Sequence, residues 1–146
     1  MTSSACAECG AAYPPNAGDC ASRFDELLAL DHSRGEPWGS RHGQAFAAFA
    51  LSHPDTYAPS LDRAWAALHA IYALGAAPHQ VFSQLRTVGA PLAVGPIPHR
   101  PMSRVALPHV TIAGLPGFPA AQYAAWLDSW CRAVLASWGA RVPAAL

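Results

Sequence analysis

A Cys-x2-Cys-Gly stretch near the start, Cys6-Ala7-Glu8-Cys9-Gly10, followed by Cys20 eleven residues later, constrains this chain more than any other feature. Two cysteines separated by two residues form the tight turn that lets both sulfurs face one Zn²⁺. Gly10 suits the positive φ that such a turn often needs. Cys6, Cys9 and Cys20 leave one ligand to find, and a zinc held by four protein ligands has no open coordination position for chemistry. The feature therefore argues for architecture. In a reducing cytosol, cysteines spaced in this way are more often metal ligands than disulfides. A thioredoxin-like redox pair would need a preceding strand and a βαβ pattern, and the few small polar residues ahead of Cys6 cannot supply that strand.

With 146 residues, 52% of them apolar, the chain is long enough for one domain with a real core. Its formal charge is zero, and its nine basic residues are all arginines scattered along the chain, so nucleic-acid binding has no electrostatic footprint. Lysine-dependent chemistry is excluded. The first five residues carry no basic residue and no apolar run follows, which argues against a secretory signal and for a cytoplasmic protein. The most apolar segments, 45–51 and 64–77, fall short of the roughly 20 residues that a membrane span requires, so no membrane partner is expected.

Periodicity and stop signals predict an all-α fold of about five helices. Residues 10–19 are turn chemistry, Tyr13-Pro14-Pro15-Asn16 and then Gly18-Asp19. A first helix starts at Cys20, capped by Asp19 or Ser22, with Phe24, Leu27, Leu28 and Asp31 continuing its face until Ser33-Arg34-Gly35. A second runs from about Ser40 to Ser52, with His42, Phe46, Phe49 and His53 as its inner stripe. It stops at Pro54, because proline pushes the preceding residue out of the α region. A third, from Ser60 to Gly75, aligns Leu61, Trp65, Leu68 and Tyr72, and a fourth covers Pro78 to Val88 before Gly89. Residues 90–118 are rich in proline and glycine, with Val110-Thr111-Ile112 as the one plausible extended piece, and should wrap over the bundle. A closing helix from Pro119 to Trp138 presents Tyr123, Trp126 or Leu127, Trp130, Val134 and Trp138 as an aromatic face and ends at Gly139. The expected organisation is a single domain: a zinc-turn arm over 1–19, four helices over 20–89, a proline-rich loop over 90–118 and a closing helix over 119–139.

These motifs together resemble a family of small bacterial proteins catalogued as a domain of unknown function. Its members open with a Cys-Pro-x-Cys-Gly type turn, here Cys6 to Gly10, and carry a further cysteine at the start of the first helix, here Cys20. A His-x10-His-Pro helix corresponds to His42 through His53-Pro54, a histidine in the third helix to His69, a Val-Thr-Val-Ala-like segment to residues 110–113, and a Trp-rich closing helix to Trp130 through Trp138. The resemblance implies no activity. Where the family pattern reads Asp, Tyr and Gln along the second helix, this chain has Ala47, Phe49 and Ser52, which removes polar groups that would support catalysis.

His42 and His53 share a helix face but lie roughly 16 Å apart along the axis, so one zinc cannot take both. Short connections make successive helices antiparallel neighbours, which brings Cys20 at the start of the first helix level with His53 at the end of the second. The expected zinc site is Cys6, Cys9, Cys20 and His53; the alternative for His53 is a helix C-terminal cation favoured by the macrodipole. His69 falls at a depth close to His42, which makes this pair either a second metal or acid–base site, or two core-edge histidines each bonded to a carbonyl or carboxylate. His32, His79, His99 and His109 read as surface residues, and Cys131 as a small buried apolar residue. Trp65, Trp126, Trp130 and Trp138 read as core, and Asp25, Glu26 and Asp31 as a solvated face.

Two functions fit this reading. The first is a zinc-stabilised helical module, not an enzyme, that binds a protein or small molecule through a groove under the proline-rich segment. The second is a metal-dependent, hydrolase-like enzyme using His42 and His69. No nucleophile elbow, phosphate loop or His-Glu-x-x-His helix supports the second.

Overall fold

Helix α2 (His42–Ser52) is the centre of the molecule. Gln44, Ala45 and residues 47–52 are all buried, so the helix is enclosed on nearly every side. The alanines make this possible, because small side chains let neighbours approach a helix from several directions while leaving no polar face to solvate. The expected inner stripe of His42, Phe46, Phe49 and His53 is therefore too narrow a description. Phe49 and His53 are buried, but Phe46 is only half-buried and the His42 side chain is 45% exposed. The computed structural model describes residues 5–33, 35–86 and 94–143.

Around α2 stand α1 (Cys20–His32), α3 (Leu61–Leu68), α4 (Pro78–Leu85) and α5 (Ala120–Ser137), and the described residues contain no strand, only an isolated antiparallel bridge between Ala5 and Ala12. Helix α1 begins with a capping box: Asp19 accepts from the Ser22 N–H at 2.9 Å and the Ser22 hydroxyl accepts from the Asp19 N–H at 2.9 Å. Phe24 of α1 stacks on Phe49 of α2 with ring centroids 4.1 Å apart. Helix α3 buries Leu61, Trp65 and Leu68 as the spacing predicts, but it ends sooner than Gly75 and continues as a π-helical turn over His69–Ala73. Within that turn the Tyr72 hydroxyl accepts from Gln44 Nε2 at 2.7 Å and donates to Asp128 at 2.8 Å, linking α2 to α5. The expected end of the fourth helix at Val88-Gly89 lies outside the described residues.

Helix α5 packs against α2, with Tyr123, Leu127 and Trp130 fully enclosed. It closes as expected at Gly139, whose φ is 88°, with Gly139 N–H donating to Ala136 and Ala140 N–H to Leu135. From residue 94 onward the proline-rich segment wraps the bundle, and its expected start at residues 90–93 lies outside the described residues. The Trp65 indole donates to the Pro98 carbonyl at 3.0 Å, Arg100 lies over the Trp138 ring, and the Val105 N–H donates to the Ser137 carbonyl at 2.8 Å. Val110-Thr111-Ile112 is not an extended strand. Thr111 accepts from the Ala113 N–H and caps a 3₁₀ turn over Ile112–Gly114 instead, an outcome open to a lone extended piece that has no neighbour to pair with.

Candidate metal centre

The Cys-x2-Cys turn is held by its own backbone before any side chain is considered. The Gly10 N–H donates to the Cys6 carbonyl at 2.9 Å and the Cys6 N–H to the Ala11 carbonyl at 2.8 Å, which turns both sulfurs to one side. Gly10 has a φ of 81°, so the turn itself favours glycine, while a Cβ there would meet only the tip of the exposed Leu107 side chain at 3.0 Å. Cys20 is the first residue of α1, fixed by the capping box around it. Cys9 Sγ and Cys20 Sγ are 3.6 Å apart, and the Tyr13 hydroxyl donates to Cys20 Sγ at 3.1 Å.

Pro54 has the effect that its position predicts: His53 leaves the helical region, with φ −130° and ψ 63°, as the last turn of α2 ends. The ring is 4% exposed as a residue and its Nδ1 donates to the Phe49 carbonyl at 2.9 Å, which leaves Nε2 as the unprotonated nitrogen of the neutral ring. Nε2 is buried and has no partner within hydrogen-bond geometry, the sulfurs of Cys20 and Cys6 being polar groups near it. The ligand atoms of Cys6, Cys9, Cys20 and His53 all lie within 4.8 Å of one another. Bonds of roughly 2.3 Å to sulfur give a tetrahedral edge of about 3.8 Å, close to the Cys9–Cys20 separation. Three sulfurs and an orphaned buried imidazole nitrogen are a donor set that fits a thiophilic divalent metal.

The two buried thiols are driven in opposite directions. The hydrogen bond shared with Cys9, with His53 and Tyr13 nearby, holds Cys20 well below the usual thiol range although burial works against it. The same hydrogen bond, with burial, pushes Cys9 up. Burial opposes a charged His53, but the sulfurs of Cys20 and Cys6 and the Phe49 carbonyl raise its pKa. A coordinating cation removes this competition by taking both thiols as thiolates.

Glu8, inside the Cys-x2-Cys spacer, is the functional residue that sequence reasoning missed. Its carboxylate accepts from the Asp55 N–H at 2.7 Å, the Thr56 N–H at 3.2 Å and the Thr56 hydroxyl at 2.6 Å, and so clamps the cysteine turn to the turn that follows His53. On the other side, the last carbonyls of α2 are taken up by the Trp138 indole, 3.0 Å from Leu51 O, and by Arg104, 3.4 Å from Ser52 O. Burial would raise the Glu8 pKa, but the hydrogen bonds from Thr56 and Asp55 leave it lowered. A lowered carboxyl contributes stability that is complete above its unfolded value of about 4.3 and is lost as pH falls through the folded value. Glu8→Gln should therefore remove an acid-side stability loss, and should weaken metal retention by loosening the contact between the cysteine turn and the turn after His53. Stability against pH and metal competition titrations check both.

His42 and His69 have separate surroundings. His42 Nδ1 pairs with Asp31 Oδ2 at 2.8 Å, whereas His69 lies against Trp65 with ring centroids 5.3 Å apart and its Nδ1 buried without a partner. His42 lines a cavity between α2, α3 and α4, and His69 is not among the residues around that cavity. The solvated-face reading holds for Asp25 and Glu26 but not for Asp31, which is buried because it serves His42. The hydrogen bond to Asp31 raises the His42 pKa against the effect of burial. A raised imidazole contributes stability that is complete below its unfolded value of about 6.5 and is lost as pH rises through the folded value. Stability should accordingly decline above about pH 6.5, and Asp31→Asn should flatten that decline in urea titrations and lower the His42 pKa measured by NMR.

A family model described as a family of unknown function, DUF5946, matches residues 4–139. The chain belongs to this family. The DUF5946 match runs from the cysteine turn through the end of α5, so the whole described metal centre falls within it. No curated protein and no solved structure matches the chain.

Proposed function

We propose that Cys6, Cys9, Cys20 and His53 hold one Zn²⁺ that staples the N-terminal turn to the start of α1 and the end of α2, and that the domain is a zinc-stabilised binding module in a reducing cytoplasm. The observation that carries this reading is the buried His53 Nε2, without a hydrogen bond, facing three cysteine sulfurs. Four protein ligands leave no position for an activated water. The second reading, an enzyme using His42 and His69, is weakened by the commitment of His42 to Asp31 and by the distinct environment of His69. No helix among the described residues is long and apolar enough to cross a membrane. The binding surface of this reading is the groove under the proline-rich segment; the cavities beside the cysteine cluster and between α2, α3 and α4 have other linings.

One of these cavities, of about 360 Å³, borders the metal centre and is lined by Cys6, Cys20 and His53, so the set is closed in coordination number but reachable from solvent. The test is metal content of protein purified without a histidine tag. One zinc per chain after exhaustive dialysis, yielding to a strong chelator with loss of thermal stability, is the expected result. A metal-free protein with an unchanged melting temperature would contradict the staple, and a second exchangeable metal would favour the enzyme.

A further inference from the structure

We propose that the cavity between α2, α3 and α4 binds a small amphipathic organic anion, an apolar body bearing one carboxylate-like head, with Arg63, Arg86 and His42 receiving the head. The cavity measures about 790 Å³, within the roughly 300–1,000 Å³ of small-molecule sites. Ala47, Ala64 and Ala67 with the rings of Phe46 and Phe82 give it an apolar wall, and Arg63, Arg86, His42 and His79 are its ionisable lining; no carboxylate lines it. Asp31 balances His42, while Glu36 is bonded to Ser40 and Arg41 and Asp62 to Arg100. Arg63 and Arg86 are therefore the cations of the lining left for a ligand to balance, and His42 contributes as a hydrogen-bond group.

The site is also held in shape. Arg63 Nη2 donates to the Leu85 carbonyl at 2.6 Å, which fixes the guanidinium across the cavity at the end of α4. Asp31 takes the Nδ1 side of His42, so Nε2 is the nitrogen left for a ligand. At Gly43 a Cβ would lie 2.8 Å from the Phe82 ring, so glycine is what lets that ring close against α2 as a wall. The cavity shares no lining residue with the one beside the metal centre, and this proposal does not depend on the metal.

Decanoate below its micellar concentration, titrated into isotopically labelled full-length protein, is the test. Shifts are expected at Gly43, Ala47 and Phe82 and not at Cys9 or Cys20, with decanol, decyltrimethylammonium and inorganic phosphate each binding at least about tenfold more weakly. Arg63→Gln combined with Arg86→Gln should weaken decanoate at least about tenfold and leave decanol unchanged. Equal binding of decyltrimethylammonium or phosphate, shifts confined to the cysteine turn, or a double variant that binds decanoate as well as the parent would overturn the proposal. The ligand series on the unsubstituted protein decides the matter even if the double variant does not fold.

Discussion

Cys9→Ser is expected to release the metal and to unfasten both chain segments that meet at it. Cys9 is 1% exposed and its sulfur sits 3.6 Å from that of Cys20, so a serine hydroxyl, a far poorer ligand, would stand in a buried thiolate position. In zinc-finger peptides the binding free energy of a structural zinc, about 10–16 kcal/mol, is folding free energy. Loss of a direct ligand should exceed the 10–100-fold affinity change of an outer-shell substitution. Because Cys9, Ala11 and Tyr13 belong to the main hydrophobic core, the damage should reach past the arm. Hydrogen exchange should show protection lost over residues 5–19, in the first turn of α1 and around His53, while α3 and α5 keep theirs. Protection equal to the parent across residues 5–19 would refute the coupling.

Trp138→Ala should be the most damaging substitution away from the metal. The indole is almost fully buried, its Nε1 donates to the Leu51 carbonyl one residue short of the end of α2, and Arg100 lies 5.3 Å above its ring. Truncating a buried tryptophan costs about 3–5 kcal/mol, and an unsatisfied buried carbonyl adds roughly 1–3 kcal/mol. The sum approaches the 5–15 kcal/mol total of a typical domain. Trp138→Phe keeps most of the packing and loses only the hydrogen bond, so it should cost about 1–3 kcal/mol. Urea unfolding of the parent and the two variants separates the contributions, and midpoints indistinguishable from the parent's would show that the hydrogen bond and the ring do not anchor the end of α2.

What was legible in the sequence was the part written in local chemistry. Asp19, Pro54, Pro78 and Gly139 mark helix ends within a few residues of where they stop or start, and the metal set followed because short connections bring the start of α1 to the end of α2. The rest depended on partners far along the chain. Glu8 looks like a spacer until Asp55 and Thr56 meet it 47 and 48 residues away. Asp31 has the composition of a surface residue, and only the arrival of His42 explains its burial. An alanine-rich helix carries little periodic signal, so the enclosure of α2 could not be read from the residues of α2 alone. The π-helical turn after Leu68 has no proline or glycine within it to announce it, and it becomes explicable once Tyr72 is seen reaching both Gln44 and Asp128.

Zinc K-edge X-ray absorption of the zinc-bound protein reads the Cys6, Cys9, Cys20 and His53 ligand set itself. A four-coordinate shell of three sulfurs at about 2.3 Å and one imidazole nitrogen at about 2.0–2.1 Å is expected, with the nitrogen scattering lost in His53→Ala. A shell of only nitrogen and oxygen, or one whose imidazole signal survives in His53→Ala, would contradict that ligand set.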